Sequence, residues 1–205
     1  MYFSLNSNND NNKYNEIASY ILEEKKSKFI SYIFNITNEL QAKQYIQRIR
    51  KANKDARHVV YIYSYINENN LPQINFSDDG EPQGTGTKAI YELITKERIT
   101  NVCIIIVRYF GGILLGAGPL SRAYLNSSRG ALDKCNKQEI FKYIKKEICI
   151  EYNKYDMLIS SLKDLINNNY VVIDNTNYNE KIVIYLNVEE RVENRVEEIL
   201  SNFIY

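Results

Sequence analysis

Two short loops hold seven of the chain's eight glycines. Glycine loses more backbone freedom on folding than any other residue, so a chain with few glycines keeps them where unusual angles or a close approach are needed. The first loop has Gly80, Gly84 and Gly86, and the second has Gly111, Gly112, Gly116 and Gly118. The sequence therefore predicts a fold organised around these two loops, with the rest of the chain as their scaffold.

The charge of the chain is unevenly distributed along its 205 residues, a length that suits one large or two small domains. Residues 1–137 carry 18 Lys+Arg against 13 Asp+Glu, whereas residues 138–205 carry 8 against 12. A basic front and an acidic back indicate two domains with different surfaces, and a chance asymmetry is the alternative. We predict domains at 14–137 and 138–205, with the boundary somewhere near 134–140.

Cysteine and histidine usage argues against a zinc site. The three cysteines are odd in number, form no CxxC pair and accompany a single histidine. We therefore expect no metal and no cofactor. An unpaired set of cysteines also indicates a reducing compartment, so we expect a cytoplasmic protein.

The N-terminus and the apolar runs carry no signal for a membrane. Residues 1–13 lack a basic segment followed by an apolar core, so they are interpreted as a flexible, solvated tail and not as a signal peptide. The best apolar run, 102–107, ends at Arg108 and is far shorter than a membrane span. No membrane partner is expected.

The pattern of residues 14–137 predicts a mixed α/β domain. Thr37 or Asn38 should cap a helix that runs to about Ala52, and Pro119 should lie in the first turn of another. Residues 67–75 are predicted to be a polar loop. The run 102–107 is apolar without alternation, which indicates a central strand covered on both faces. Further strands are predicted at 17–22, 29–36 and 59–66, and a short helix around 90–94.

The pattern of residues 138–205 predicts a second α+β domain. A strand at 141–151 is followed by an amphipathic helix around 158–166, a hairpin at 170–174 and 181–188, and a last helix at 192–200. The order β-α-β-β-α is the split arrangement of ferredoxin-like domains, and residues 203–205 would supply a final edge strand.

Three carboxylates crowd the first loop, at Asp78, Asp79 and Glu81. Such a cluster needs cations, metal or backbone donors nearby. It could bind a hard cation, or it could provide a general acid and base, with His58 as a further candidate. It could instead be a structural turn in which Glu81 pairs with Arg108. For His58, the only histidine, a capping or hydrogen-bonding role is the alternative to catalysis.

The second loop has features of an anion or nucleic-acid site. Glycines let backbone N–H groups converge, and a helix start attracts anions. Arg108 and Arg122 bracket the loop, and Tyr109 and Phe110 could stack on a base or belong to the core. The candidate binding residues are Arg108, Tyr109, Phe110, Gly111, Gly112, Gly116 and Arg122.

The two loops should face each other, with Arg108 between them. This requires the strand that precedes Asp78 to run antiparallel or next to strand 102–107 in the same sheet. In that arrangement the carboxylates would hold Arg108, while Arg122 and the helix start would remain free for an anion.

The stretches SDDGEPQGTGTKAI and TNVCIIIVRYFGGILLGAGPLSRAY resemble the signature of the YigZ/IMPACT family, SDDGEPxGTAGxP followed by VVVxRYFGGxxLGxGGLxRAY. The segments KKSKFISYI and ARHVVYIYSY also resemble the family. The C-terminal part resembles the small second domain of the bacterial members, so the similarity spans nearly the whole chain. Gly80, Gly84 and Thr85 match this pattern and are expected to be structural. Thr87, Ala89 and Pro119 depart from it, and Pro119 removes one backbone N–H at the helix start.

The resemblance implies a fold and a cellular process. The N-terminal part would be a mixed-sheet αβ sandwich like the second domain of a small-subunit ribosomal protein, and the C-terminal part would be ferredoxin-like. Together they would resemble two neighbouring domains of elongation factor G, which implies contact with RNA or the ribosome. Eukaryotic members of the family regulate translation initiation through a protein partner.

The preferred interpretation is an RNA- or ribosome-associated regulator of translation. One alternative is a hydrolase or metal-dependent enzyme that uses the loop at 78–81. The other is a protein-binding adaptor in translation control. Steep salt dependence would support RNA binding, and turnover of a small substrate would support an enzyme.

Overall fold

A computed structural model of the chain describes residues 2–6, 16–67 and 71–203. The chain divides into two compact units, Met1–Ile140 and Phe141–Tyr205, which we call the first and the second unit. The first unit contains the strands β1 (Tyr2–Asn6), β2 (Ala18–Glu24), β3 (Ser27–Asn35), β4 (His58–Ile66), β5 (Pro72–Ser77), β6 (Val102–Tyr109) and β7 (Asn136–Ile140), and the helices α1 (Glu39–Ala52), α2 (Lys88–Lys96) and α3 (Ala117–Leu132).

A five-stranded sheet in the order β2-β3-β6-β4-β5 forms the frame of the first unit. Strand β6 lies in its centre, and each of its residues from Val102 to Arg108 is buried. Ile104 and Ile106 pack under α2 and α3, whereas Cys103 and Ile105 pack under α1. The prediction of a central strand covered on both faces is therefore confirmed.

The helices of the first unit begin where capping residues allow. Asn38 accepts a hydrogen bond from the backbone N–H of Gln41 and starts α1. Helix α3 has Pro119 in its first turn, where the missing N–H costs little. Helices on both faces of the sheet make an αβ sandwich, so the predicted α+β class is confirmed. Among the described helices, none has the length and apolar character needed to cross a bilayer.

Strand β5 replaces part of the polar loop predicted at residues 67–75, so that prediction was wrong for its second half. Half of its sequence, PQINFS, is polar, and only one neighbour, β4, pairs with it. Ile74 packs against the core while Phe76 stays half exposed. An edge strand needs little apolar side-chain area, which explains why the pattern missed it.

Strand β1 corrects the interpretation of residues 1–13 as a flexible tail. Its residues Tyr2–Asn6 pair antiparallel with β7, and Leu5 is buried in the core. The partner strand lies 134 residues away, from Asn136 to Ile140, so no local pattern could reveal the pairing. Residues 7–13 are outside the described part of the chain.

The second unit contains β8 (Tyr143–Ile150), α4 (Tyr155–Asn167), β9 (Val171–Tyr178), β10 (Ile182–Glu189) and α5 (Glu193–Ser201). Its antiparallel sheet has the order β8-β10-β9, and both helices contribute to its core. A fourth strand at 203–205 would fall largely on residues that are not described. The ferredoxin-like assignment of this unit therefore stays a prediction.

The three cysteines should react with a thiol reagent at different rates under native conditions. Cys149 is exposed, whereas burial raises the pKa of Cys135 to about 11 and that of Cys103 well above its usual range. Because the thiolate is the nucleophile, we expect modification in the order Cys149, Cys135, Cys103. Mass spectrometry of labelled peptides over time tests this order. Equally rapid labelling of Cys103 in the folded chain would contradict the position of β6.

Candidate functional site

The two glycine loops lie at the same end of the five-stranded sheet. Strands β5 and β6 are both antiparallel to β4, which lies between them, so they run in the same direction and their carboxyl ends meet at one edge. The expectation that the strand before Asp78 adjoins β6, or runs antiparallel to it, was wrong. The loops nevertheless approach each other, because one intervening strand spaces them by only about 10 Å.

Arg108, at the end of β6, connects the two loops. Its Nη1 donates to Glu81 Oε1 of the first loop at 2.6 Å, and both side chains are almost completely buried. Its guanidinium also lies over the ring of Phe110 in the second loop, 5.7 Å from the centroid. The predicted pair of Glu81 with Arg108 is therefore present. The Nε atom of Arg108 is buried and has no hydrogen-bond partner among the described residues.

Tyr124 of α3 adds a second donor to the same carboxylate. Its hydroxyl donates to Glu81 Oε1 at 2.7 Å. Burial, followed by this hydrogen bond, raises the pKa of Tyr124 well above its usual range. The hydroxyl therefore remains a protonated donor, and Glu81 is held by a charge-assisted network from β6 and α3.

Asp78 closes the first loop on itself. Its Oδ2 accepts from the backbone N–H of Gly84 at 2.7 Å, and its Oδ1 accepts from that of Gly86 at 3.0 Å. The hydroxyl of Thr87, a departure from the family pattern, donates to Oδ1 at 3.0 Å. Thr85 secures the same loop by donating to the carbonyl of Pro82. The Asp78 carboxylate therefore stabilises the backbone conformation of the first loop.

Asp79 connects the first loop to β4 and α1, and not to Arg108 as expected. Its Oδ2 accepts from the backbone N–H of Val59 at 2.6 Å, and its Oδ1 accepts from Arg50 at 2.8 Å. The carbonyl oxygen of Asp79 lies 2.8 Å from His58 Nδ1. The backbone at Asp79 has φ +47°, a left-handed conformation that Asp adopts more readily than most residues.

Protein donors thus engage all three carboxylates of the first loop. His58 lies 3.8 Å through Nε2 from Glu81 Oε1, beyond hydrogen-bond distance. Within the described ranges, no group of three His, Cys, Asp or Glu side chains is placed to hold a metal ion. The geometry favours the interpretation of this loop as a structural turn.

The second loop packs against the turn of the β2–β3 hairpin. A Cβ at Gly111 would lie 2.0 Å from the backbone of Lys26, so only glycine permits this approach. The Gly111 N–H donates to Ser27 Oγ at 3.2 Å. Lys25 and Lys26 are both exposed at this turn. The loop therefore lies against the turn that carries these two lysines, and Phe110 directly precedes the glycine that makes this contact.

Phe110 is 37% exposed between two arginines. Arg57, which is exposed, lies over its ring at 5.7 Å, and Arg108 lies at the same distance. We call Lys25, Lys26, Arg57 and Phe110 the basic–aromatic patch. Sequence reasoning found Phe110 but missed the three cations, because their positions depend on contacts between distant segments.

The remaining predicted binding residues have different surroundings. Tyr109 is half-buried and its hydroxyl donates to Asn53 Oδ1 at 2.8 Å, so its ring belongs to the α1 side of the core. Arg122 is exposed on α3, whose N-cap is Gly116. Gly112 adopts φ +82° in the second loop. Their roles in binding stay predictions.

Replacing Asp79 with Asn should lower the free energy of unfolding by about 1 kcal/mol, because the charge that assists the bonds from Val59 and Arg50 is lost. Asp78→Asn should cost more, about 2 kcal/mol, because it disturbs three donors held by both oxygens. Urea denaturation of both variants tests this order. An Asp79→Asn variant of unchanged stability that loses turnover of a small substrate would instead support the enzyme alternative.

Comparison with known proteins shows similarity over most of the chain. Residues 25–132 match the model of the Impact N-terminal domain. The IMPACT family member YvyE of Bacillus subtilis is 30% identical over 86% of this chain and 79% of its own. The IMPACT family member YigZ of Escherichia coli is 33% identical over 59% of each chain. A crystal structure described as that of a hypothetical protein superimposes with a TM-score of 0.60 and 25% identity, covering 90% of this chain and 88% of the other.

Proposed function

Because this chain belongs to the IMPACT family, we propose that it binds RNA, on or near the ribosome, and regulates translation from the cytoplasm. Translation is the process that the family resemblance implies, and RNA is the ligand that the surface chemistry favours. The supporting observation is the basic–aromatic patch beside the second glycine loop.

The patch combines the two chemistries that single-stranded RNA requires. An exposed ring can stack on a base, and nearby cations can contact the phosphates on either side of it. Phe110 provides the ring, and Lys25, Lys26 and Arg57 provide exposed positive charges. Residues 1–137 also carry a net charge of +5, which favours approach of a polyanion.

A catalytic function has weaker support. Its candidate groups Asp78, Asp79 and Glu81 all accept hydrogen bonds from protein donors, and Glu81 is paired with a buried arginine. A general base needs an oxygen that a substrate proton can reach. The second candidate function is a protein-binding adaptor in translation control.

Binding of a fluorescein-labelled oligouridine, measured by anisotropy, tests the RNA proposal. Affinity should fall steeply between about 50 and 200 mM salt, since phosphate contacts release counterions. Phe110→Leu keeps an apolar side chain but removes the stacking ring, so it should weaken binding by roughly 10-fold. Lys163→Gln, at an exposed site of the second unit, is the matched control and should change nothing. Binding that is insensitive to both salt and Phe110→Leu would contradict the proposal.

Arg122→Ala should leave thermal stability nearly unchanged, because the side chain is exposed. It should weaken oligouridine binding and reduce the salt slope by about 1, as expected for loss of one phosphate contact. Anisotropy titrations at several salt concentrations measure that slope. An unchanged salt slope would show that Arg122 makes no phosphate contact. The Phe110→Leu variant would still test the basic–aromatic patch.

Co-sedimentation with ribosomes from lysate at low and high salt tests the cellular partner. We expect the protein in the ribosomal pellet at low salt and its release at high salt, with cross-links to RNA from the first unit. Cross-links to protein alone would favour the adaptor alternative.

A further inference from the structure

An elongated groove runs along the first unit between strand β5 and helix α2. At one end of it, a cavity of about 820 Å³ is lined by Ile74, Phe76 and Tyr91, among others. Toward the other end, a cavity of about 330 Å³ shares Pro72 and Ile74 with the first. The groove therefore follows β5 for its whole length, about 20 Å for six residues.

The wall of the groove is apolar and accessible. The rings of Phe76 and Tyr91 lie 6.2 Å apart, and these residues are 52% and 39% exposed. Their side chains belong to neither of the two clusters that fill the core of the first unit. Two adjacent exposed aromatic residues in a groove are typical of a surface that another molecule covers.

The free edge of β5 identifies the shape of that molecule. In the described part of the sheet, β5 is the last strand and bonds only to β4, so one row of its backbone groups is available. Natural edge strands are commonly protected by charges, and the opposite edge, β2, carries Glu23 and Glu24. Strand β5 has no charged residue. An open edge beside an apolar groove matches an extended backbone whose alternate side chains enter the groove.

The charged residues around the groove indicate which charge the two ends of the bound molecule carry. Lys88 lines the larger cavity and Arg98 lines the smaller one, and both side chains are exposed. They lie at opposite ends of α2. Among the described residues that line either cavity, Asp78 is the one carboxylate, and its oxygens already accept from Gly84, Gly86 and Thr87. The groove therefore carries an exposed cation at each end.

We propose that this groove binds an extended peptide segment of a partner protein, which adds to β5 as a further strand. The segment has apolar side chains at alternate positions, which contact Phe76 and Tyr91, and acidic residues at both ends, which contact Lys88 and Arg98. This site uses none of the residues of the basic–aromatic patch, so it stands or falls independently of RNA binding.

The test uses the full chain and a fluorescein-labelled synthetic peptide of about ten residues, with phenylalanine and valine at alternate positions and acidic residues at both ends. Saturable binding is expected by anisotropy. Tyr91→Ala and Phe76→Ser should each weaken it at least 10-fold. Ile21→Ser, at a comparably exposed site on the other sheet edge, is the control and should leave affinity unchanged. Absence of saturable binding would overturn the proposal.

The ends of the peptide have their own matched test. The double variant Lys88→Glu and Arg98→Glu should lose at least 10-fold in affinity for the acidic-ended peptide. It should regain affinity for a peptide of the same core with lysines at its ends. Equal affinity of both peptides for both proteins would exclude the proposed charge recognition.

Backbone methylation separates strand addition from simple apolar binding. Only alternate residues of an added strand exchange hydrogen bonds with β5. N-methylation of one alternate set in the peptide should therefore abolish binding, whereas methylation of the other set, with the same composition, should preserve it. Equal effects of the two sets would overturn strand addition. If the peptide does not bind and Phe76→Ser weakens the binding of oligouridine, the groove would instead be assigned to RNA.

Discussion

Replacing Ile105 with Asp is expected to unfold the first unit or to lower its free energy of unfolding by several kcal/mol. Ile105 lies in the middle of β6, between β3 and β4, and its side chain is completely buried under α1. The variant would bury a carboxylate among apolar side chains, with no cation to pair with it. Burying such a charge lowers the free energy of unfolding by more than most single contacts contribute to it, because no partner compensates for the lost hydration of the carboxylate.

Chemical denaturation and thiol labelling together measure this effect. The variant should lose the cooperative transition of the first unit, and Cys103, on the same face of β6, should become reactive. Ile21→Asp is the matched control, since Ile21 is 54% exposed on the edge strand β2 and should tolerate the charge. A folded Ile105→Asp protein with an unchanged melting temperature would contradict the central position of β6.

Removing the carboxylate of Glu81 is expected to have the second largest effect. Glu81→Ala leaves the Arg108 guanidinium buried without its partner and also removes the acceptor of the Tyr124 hydroxyl. Breaking one side of a buried ion pair typically costs about 3–5 kcal/mol, because the remaining charge stays desolvated. Both glycine loops should loosen in this variant, since Arg108 contacts each of them.

A double-mutant cycle separates this pair from its surroundings. Glu81→Leu alone and Arg108→Met alone should each destabilise the protein, whereas the double variant Glu81→Leu and Arg108→Met should recover much of the loss, because no charge remains unpaired. Free energies from urea denaturation provide the coupling. Purely additive effects would show that Glu81 and Arg108 act separately, against the 2.6 Å contact between them.

Several elements could be predicted because their signals are local. The run from Val102 to Val107 has no polar residue, which predicts a strand whose two faces are both packed against other parts of the protein. Asn38 and Pro119 mark helix starts through backbone chemistry that involves only their neighbours. The IMPACT resemblance was readable for a similar reason, since its two motifs are continuous in sequence.

The sequence by itself thus determined the α+β class, the central strand, most helices and the presence of two constrained glycine loops. Only the tertiary structure decided which residues meet: β1 with β7, β5 at the sheet edge, and Asp79 with Arg50 instead of Arg108. The physical reason is the range of the interactions. Propensity, capping and periodicity act over a few residues, whereas an ion pair or a ladder depends on how distant segments are positioned by the whole core. The site also depends on such long-range positioning, because Arg57 lies over Phe110, and Gly111 against the Lys26 backbone, only after the sheet has formed.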